Sequence, residues 1–397
     1  MMIEVLRFLE SIFFQPLTYL FILGLLLLGL QRVRRERRSF GLKVYGTFNE
    51  VWYAIGPSLL IGLIGSILMM GIGVALPTGI VILLTLSYII TMLSLQFRYL
   101  SPLLAVGLAM ILTYFFPYFH LGGHSGWLGS WIHDIQSKWL WDLGVFLAIG
   151  ALMEGVLLYV WGWRHSSPRL INSKRGKCVG AHEASHMWIL PFLFLLPVSG
   201  HLQRMGWWPL AQGTSFSIVL FPIGVGVQQL ITYALPKKAI RLSGLWVIVT
   251  GVILAILVAV SYFYLSTPLL LSAAIFGILS RLGLVLCHYY LLDNSPFHFT
   301  DVSNGLRVVG VIPGTPAATM DVKIGEVIVS VNGKAVTSEQ EFYEALHLNL
   351  AYCKIDVIDE EGEIRFVKGM THENDLHQIG FLFLEPSKRT KAFDGLA

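Results

Sequence analysis

The sequence predicts an α-helical polytopic membrane domain followed by a small C-terminal α/β domain. Three observations carry this. The 397 residues are 55% hydrophobic and only 13% charged, with mean hydropathy +0.68, whereas a soluble domain is about one-quarter charged. Apolar runs recur up to Leu292, several of them about 18 residues or longer, enough to cross a bilayer. From Pro296 onward the texture changes to short alternating strands separated by turn residues.

Candidate spans fall at Leu17–Leu30, Val51–Ala75, Thr78–Leu95, Pro102–Phe119, Leu143–Trp163, Met187–Gly200, Ser215–Leu235, Gly244–Leu265 and Pro268–Leu291. The first and sixth are short enough to be interfacial or re-entrant, so about eight crossings are expected, with a range of seven to nine. The first run leads into "QRVRRERR", not into a small-residue cleavage site, so it reads as a retained anchor. Four alternate connections, residues 31–50, 96–101, 164–186 and 236–243, hold six, one, five and three Lys/Arg, while 121–142 and 201–212 hold one each. Positive residues favour the cytoplasmic side, so the C-terminal domain is expected in the cytoplasm. Three scattered cysteines with no C-x-x-C suggest neither a disulfide framework nor a zinc ribbon.

Within the spans stand Glu154 and Arg281. Ionisable groups at membrane depth are costly and are usually paired or functional. They read either as a helix-tying pair or as part of an ion path. The loop around Trp127, Trp131, Trp139 and Trp141 reads as interfacial. His120, His124 and His133 with Asp134 match no tight metal-ligand spacing there.

The tail is more specific. "GLRVVGV" and "EVIVSV" are strand patterns and Asn332-Gly333 is a hairpin turn. Ser338 with Glu341 forms a capping-box pattern, and Phe342, Ala345 and Leu346 mark one helix face. "KIDVID", "EIRFVK" and "IGFLFL" supply further strands. With "PGTPAA" between the first two strands, residues 296–386 resemble a PDZ domain of the bacterial, HtrA-like type. That resemblance implies a peptide groove. Ser303, Asn304, Gly305 and Leu306 would form its loop, Arg307, Val308 and Val309 on to Val311 its pairing strand, and Phe342, Ala345 and Leu346 its helix wall. The expected organisation is a polytopic domain over 1–292, a PDZ domain over 296–386 and a tail over 387–397. Net charge divides the same way, −6 from Pro296 on and +10 before it, so the tail domain favours basic partners over an anionic leaflet.

"GAHEASHMW" contains His182-Glu183-x-x-His186. On a helix this spacing offers two zinc ligands and a base. Site-2 intramembrane metalloproteases also carry PDZ domains, and Asp293 would be a third ligand, which makes a zinc protease the alternative reading. Against it, the motif follows the basic loop "NSKRGKCV" instead of lying in an apolar helix, and Asp293 is followed by Asn294 in place of Gly. The PDZ-like segment also stands C-terminal to the whole apolar region. No G-x-S-x-G serine motif is present.

A polytopic domain with "SSPRLINSKRGKCVGAHEASHMW" as a basic loop, ending in one cytoplasmic PDZ domain, resembles the MinJ family of division-topology proteins of Bacillus-type Gram-positive bacteria. The resemblance implies a non-enzymatic adaptor in a multi-pass membrane location enriched at septum and poles. Its implied partners are a DivIVA-like coiled-coil scaffold, a MinD-like membrane ATPase, other divisome proteins and membrane lipid. It implies no cofactor, nucleic acid or small-molecule substrate.

Overall fold

The computed structural model describes residues 15–119, 126–136, 139–174, 176–197, 202–211, 215–348, 352–359, 361–370 and 379–384. The apolar part contains helices α1 (Pro16–Phe40), α2 (Asn49–Ile72), α3 (Thr78–Leu93), α4 (Pro102–Phe115), α5 (Trp127–Gln136), α6 (Leu140–Val160), α7 (Pro236–Tyr264) and α8 (Thr267–Asn294). Among the described residues, α1, α2, α6, α7 and α8 are long and apolar enough to cross a membrane; α3 and α4 are shorter. Local chemistry sets several boundaries. Ser101 Oγ accepts the Leu103 N–H at 3.2 Å to start α4, with Pro102 at its first position, where a missing N–H costs nothing. Gly41 and Gly73 close α1 and α2 in the left-handed conformation.

The runs at Met187–Gly200 and Ser215–Leu235 are not helical, contrary to the expectation from apolar length. They lie in two long strands, β2 (Cys178–Leu196) and β4 (Ser215–Ile231), flanked by β1 (Ser167–Asn172) and β3 (Leu202–Gln203) in the order β1-β2-β4-β3. The β2–β4 ladder runs antiparallel from His182↔Ile231 to Leu196↔Ser217, with Pro191 opposite Pro222. At roughly 3.3 Å per residue, fifteen pairs reach about 50 Å. Each proline would break a helix interior, whereas at a strand's outer edge it only removes a donor. Trp188, Phe192, Phe194, Phe216 and Phe221 are fully buried, so these strands are covered on both faces and read as continuous apolar runs.

A strand among apolar helices must have both edges satisfied. From Ile189 on, each outward N–H position of β2 is accounted for. Ile189 N–H donates to Ser58 Oγ at 3.2 Å, Pro191 has no N–H, Leu193 N–H donates to Ser66 Oγ at 2.9 Å, and Leu195 N–H donates to the Val74 carbonyl at 3.1 Å. Helix α2 reaches the strand because Gly62 and Gly65 face Pro191 and Phe192 so closely that a Cβ would fall 2.4 Å from their rings. On β4, Gly226 N–H donates to the Leu100 carbonyl at 2.7 Å and its own carbonyl accepts from Arg281 Nη2 at 3.1 Å.

The C-terminal domain comprises β5 (Leu306–Val311), α9 (Pro316–Thr319), β6 (Val327–Val331), β7 (Lys334–Ala335), α10 (Glu339–His347), β8 (Tyr352–Ile358), β9 (Ile364–Met370) and β10 (Phe381–Phe383). Its sheet order is β10-β5-β6-β8-β9, with β7 on β6. Asn332 and Gly333, both at positive φ, make the β6–β7 turn. Ser338 Oγ caps α10 through the Glu341 N–H at 3.2 Å, while the Glu341 carboxylate reaches back to Thr337 N–H at 2.7 Å. Phe342, Ala345 and Leu346 are buried in the core with Leu306, Val308, Ile328 and Ile355.

Ser66→Ala should orphan the part-buried Leu193 N–H and lower stability by about 1–3 kcal/mol. Thermal unfolding of the purified chain should show this loss, with the exposed Ser94→Ala staying within about 0.5 kcal/mol of the parent.

Candidate functional site

The His-Glu-x-x-His motif lies on β2, which changes its chemistry. On a strand His182 and His186 share one face and Glu183 the other, and their Cα atoms stand about 13 Å apart instead of one helical turn. Each nitrogen of His182 is engaged. Nε2 donates to the Val309 carbonyl at 2.7 Å, and Nδ1 accepts from Ser166 Oγ, 3.2 Å away. Burial pushes the His182 pKa down to about 4, partly opposed by that carbonyl, so the ring is neutral. Glu183 pairs with Arg35 and, at 3.0 Å, with Arg169. His186 Nδ1 donates to Glu50 Oε2 at 3.0 Å. Among the described residues no three His, Cys, Asp or Glu side chains gather as a metal site. The Asp293 side chain, His120 and His124 lie outside the described residues. Asp134 accepts from the Gly79 N–H at 3.1 Å.

The motif is the centre of a buried ionic cluster. Arg32 pairs with Glu36 at 3.1 Å and with Glu50, and donates to the His165 carbonyl. Glu36, fully buried, also accepts from Ser167 Oγ at 2.6 Å, Val44 N–H at 2.7 Å and Tyr45 N–H at 3.1 Å. Sequence reading missed Arg32, Glu36 and Glu50 because they stand in what looked like a solvated basic loop. The legible signal was Glu36 and Glu50 as the only carboxylates among the six basic residues of 31–50.

The C-terminal domain docks beside this cluster. Beside the His182–Val309 bond, Gly180 N–H donates to the Phe299 carbonyl at 2.9 Å, and His298 N–H to the Thr232 carbonyl at 2.7 Å. Gly180 and Gly310 are contact points at which a Cβ would lie 2.9 Å from Phe299 and Pro168 respectively.

The expected groove strand requires correction. Arg307, Val308 and Val309 belong to β5, which has no open edge. Leu306 and Arg307 pair with β6, Val308 to Val311 pair with β10, and the Val309 carbonyl faces His182. Ser303, Asn304 and Gly305 form the turn into that paired strand, and Gly305 abuts Val327 and Ile328. Among the described residues β10 and β9 are the edge strands of this sheet. The Phe381 and Phe383 rings of β10 meet Phe342 of α10 at 5.9 and 4.9 Å. Strand β10 follows Ile379-Gly380, with Gly380 at φ +98°.

Arg281 and Glu154 meet at 2.9 Å. Glu154 also accepts from Ser101 Oγ at 2.5 Å, and Arg281 Nη2 also donates to the Arg98 carbonyl at 3.0 Å.

These features define a bundle of apolar, membrane-length helices that holds one PDZ domain against its sheet. A family profile for the PDZ domain matches residues 307–350. The chain is 30% identical over 98% of its length, and 97% of the relative's, to the cell division topological determinant MinJ of Bacillus subtilis. It is 25% identical over 54% of its length, and 58% of the relative's, to the probable cell division topological determinant MinJ of Lacticaseibacillus paracasei. The chain belongs to the MinJ family.

Since the neutral His182 has a pKa depressed by burial, protonation favours the undocked state. Docking should be intact above about pH 6.5, the unperturbed value, and weaken as pH falls toward 4. Limited proteolysis of the linker near Asn294 across this range, with His182→Gln as the pH-insensitive comparison, measures it. Leu306→Glu, at a side chain 3% exposed, should destabilise the domain instead of merely blocking a ligand.

Proposed function

We propose that the chain is a membrane-held adaptor in division-site selection, joining a DivIVA-like scaffold to a MinD-like ATPase by protein contacts and performing no catalysis of its own. Membership of the MinJ family across almost the whole chain supports this. The observation that carries the binding role is the edge position of β10 beside α10. An extended partner segment adds there as a further strand, with its terminal carboxylate at the Ile379-Gly380-Phe381 turn. The expected setting is the cell membrane at septa and poles, with the PDZ domain on the cytoplasmic side. Anchoring confines the groove to the surface its partners occupy, which raises their effective concentration, so a weak peptide contact suffices. The zinc-protease alternative draws no support from a motif whose two histidines sit about 13 Å apart on a strand.

A fluorescent fusion of the full chain tests the reading. Septal and polar enrichment should disappear when the coiled-coil scaffold is deleted; an even membrane signal unchanged by the deletion refutes it. Gly380→Val, placed at positive φ, should abolish recruitment of the groove's partner, while Glu183→Gln should leave the zinc content of the purified chain unchanged.

A further inference from the structure

Where the ionic cluster meets the ends of α7 and α8, the structure holds a cavity of about 350 Å3. That volume falls within the range of small-molecule sites, roughly 300–1,000 Å3. Four guanidinium groups line it: Arg35, Arg98, Arg169 and Arg281. The carboxylate in its wall is Glu183, which Arg35 and Arg169 already share, and Arg281 is balanced from behind by Glu154. Arg98 lies over the Tyr289 ring at 5.0 Å and donates to its hydroxyl at 2.6 Å, and both are neutral partnerships that leave the charge uncompensated. The wall therefore carries a surplus of positive charge.

The polar groups are also incompletely used. Arg281 is buried, with its side chain 4% exposed. Its Nε and the Nε of Arg98, both donors, have no hydrogen-bond partner among the described residues, and both residues line the cavity with Gln228. Buried donors on charged groups are costly when unmet. Gln229, Ser243 and His288 complete the polar wall, and the apolar side is formed by Leu284, Val285 and Leu292 of α8 with Leu158 of α6. Tyr289, on the same helix, is 45% exposed on the outer surface. An arginine-lined polar chamber opening along an apolar helix is the chemistry that receives a phosphate with acyl chains attached.

We propose that this cavity is a binding site for a phosphate anion, with the arginines on its oxygens and the α8 wall against the apolar remainder of an anionic phospholipid. It is separate from the β10–α10 groove and does not depend on the adaptor reading.

The test uses the full chain in nanodiscs of phosphatidylcholine alone, or with phosphatidylglycerol, or of phosphatidylcholine with added inorganic phosphate. The readouts are the thermal midpoint and retained lipid by native mass spectrometry. Phosphatidylglycerol should raise the midpoint and be retained, and Arg98→Gln should weaken retention by at least about tenfold. Gln228→Glu, which adds a negative charge to the wall with little change in shape, should do the same. Arg241→Gln, whose guanidinium stacks on Tyr159 and Trp163 outside the cavity, should have no effect. If inorganic phosphate alone reproduces the stabilisation with the same dependence on Arg98 and Gln228, the anion site stands and its ligand is a soluble phosphate. Equal loss in all three variants, or no preference for either anion over phosphatidylcholine, overturns the proposal. If Arg98→Gln does not fold, Gln228→Glu decides.

Discussion

The structure depends on satisfying the edges of a long β-ladder placed among apolar helices. Strands in such surroundings are stable only where protein supplies every partner that water would otherwise provide. Here the partners are specific. Ser58 and Ser66 on α2 take two N–H groups of β2, Pro191 removes a third, and the Val74 carbonyl takes a fourth. On the other side Arg281 serves the carbonyls of Gly226 and Arg98 while neutralising Glu154. The two charges at membrane depth are thereby explained without an ion path. A guanidinium supplies several donors in a fixed fork, which suits a place where irregular backbone presents more than one unmet acceptor. The carboxylate keeps that guanidinium from being a lone buried charge.

At the far end of the same ladder the strand edge is met by another domain. Beyond Glu183 toward its N-terminus β2 pairs with β1, and Gly180 and His182 then reach Phe299 and Val309. Strand β2 thus runs from the helix bundle to the PDZ domain without interruption. The ionic cluster of Arg32, Arg35, Glu36, Glu50, Arg169 and Glu183 surrounds this crossing. Removing one member leaves another buried and unpaired, which costs more than the intact pair contributes. The cluster's value is therefore in fixing how β1, β2 and the end of α1 meet, more than in net stability.

Much of this was legible in sequence, and the gaps have physical causes. The PDZ domain was readable because its turns use diagnostic residues, Asn332-Gly333 and Ser338 with Glu341, and its strands alternate. The long strands were not, because a run buried on both faces loses the period-2 pattern and matches a helix of the same length. Pro191 and Pro222 were the local evidence against helix, and their facing positions emerge only from the ladder. His-Glu-x-x-His was read correctly as lacking its usual setting. Its role in docking depends on Val309, 127 residues away. That β5 is paired on both sides was illegible for a related reason. Which of two Gly-hydrophobic strands ends at the sheet edge is a matter of pairing order, and nothing local to "GLRVVGV" or "IGFLFL" encodes it.

The docking geometry constrains how the C-terminal sheet can be used. Strand β5 is used on every side: β6 and β10 take its edges, Val308 enters the domain core, and Val309 and Gly310 face the membrane-proximal sheet through Gly180, His182 and Pro168. A domain held by β5 cannot also present β5. Strand β10 is next in order and shares the Phe342 ring cluster with α10. Holding the domain by β5 gives β10, whose Phe381, Leu382 and Phe383 are buried, a fixed bearing relative to the helix bundle. For a binder confined to a surface, that bearing matters as much as intrinsic affinity, because effective concentration is lost when geometry forbids engagement.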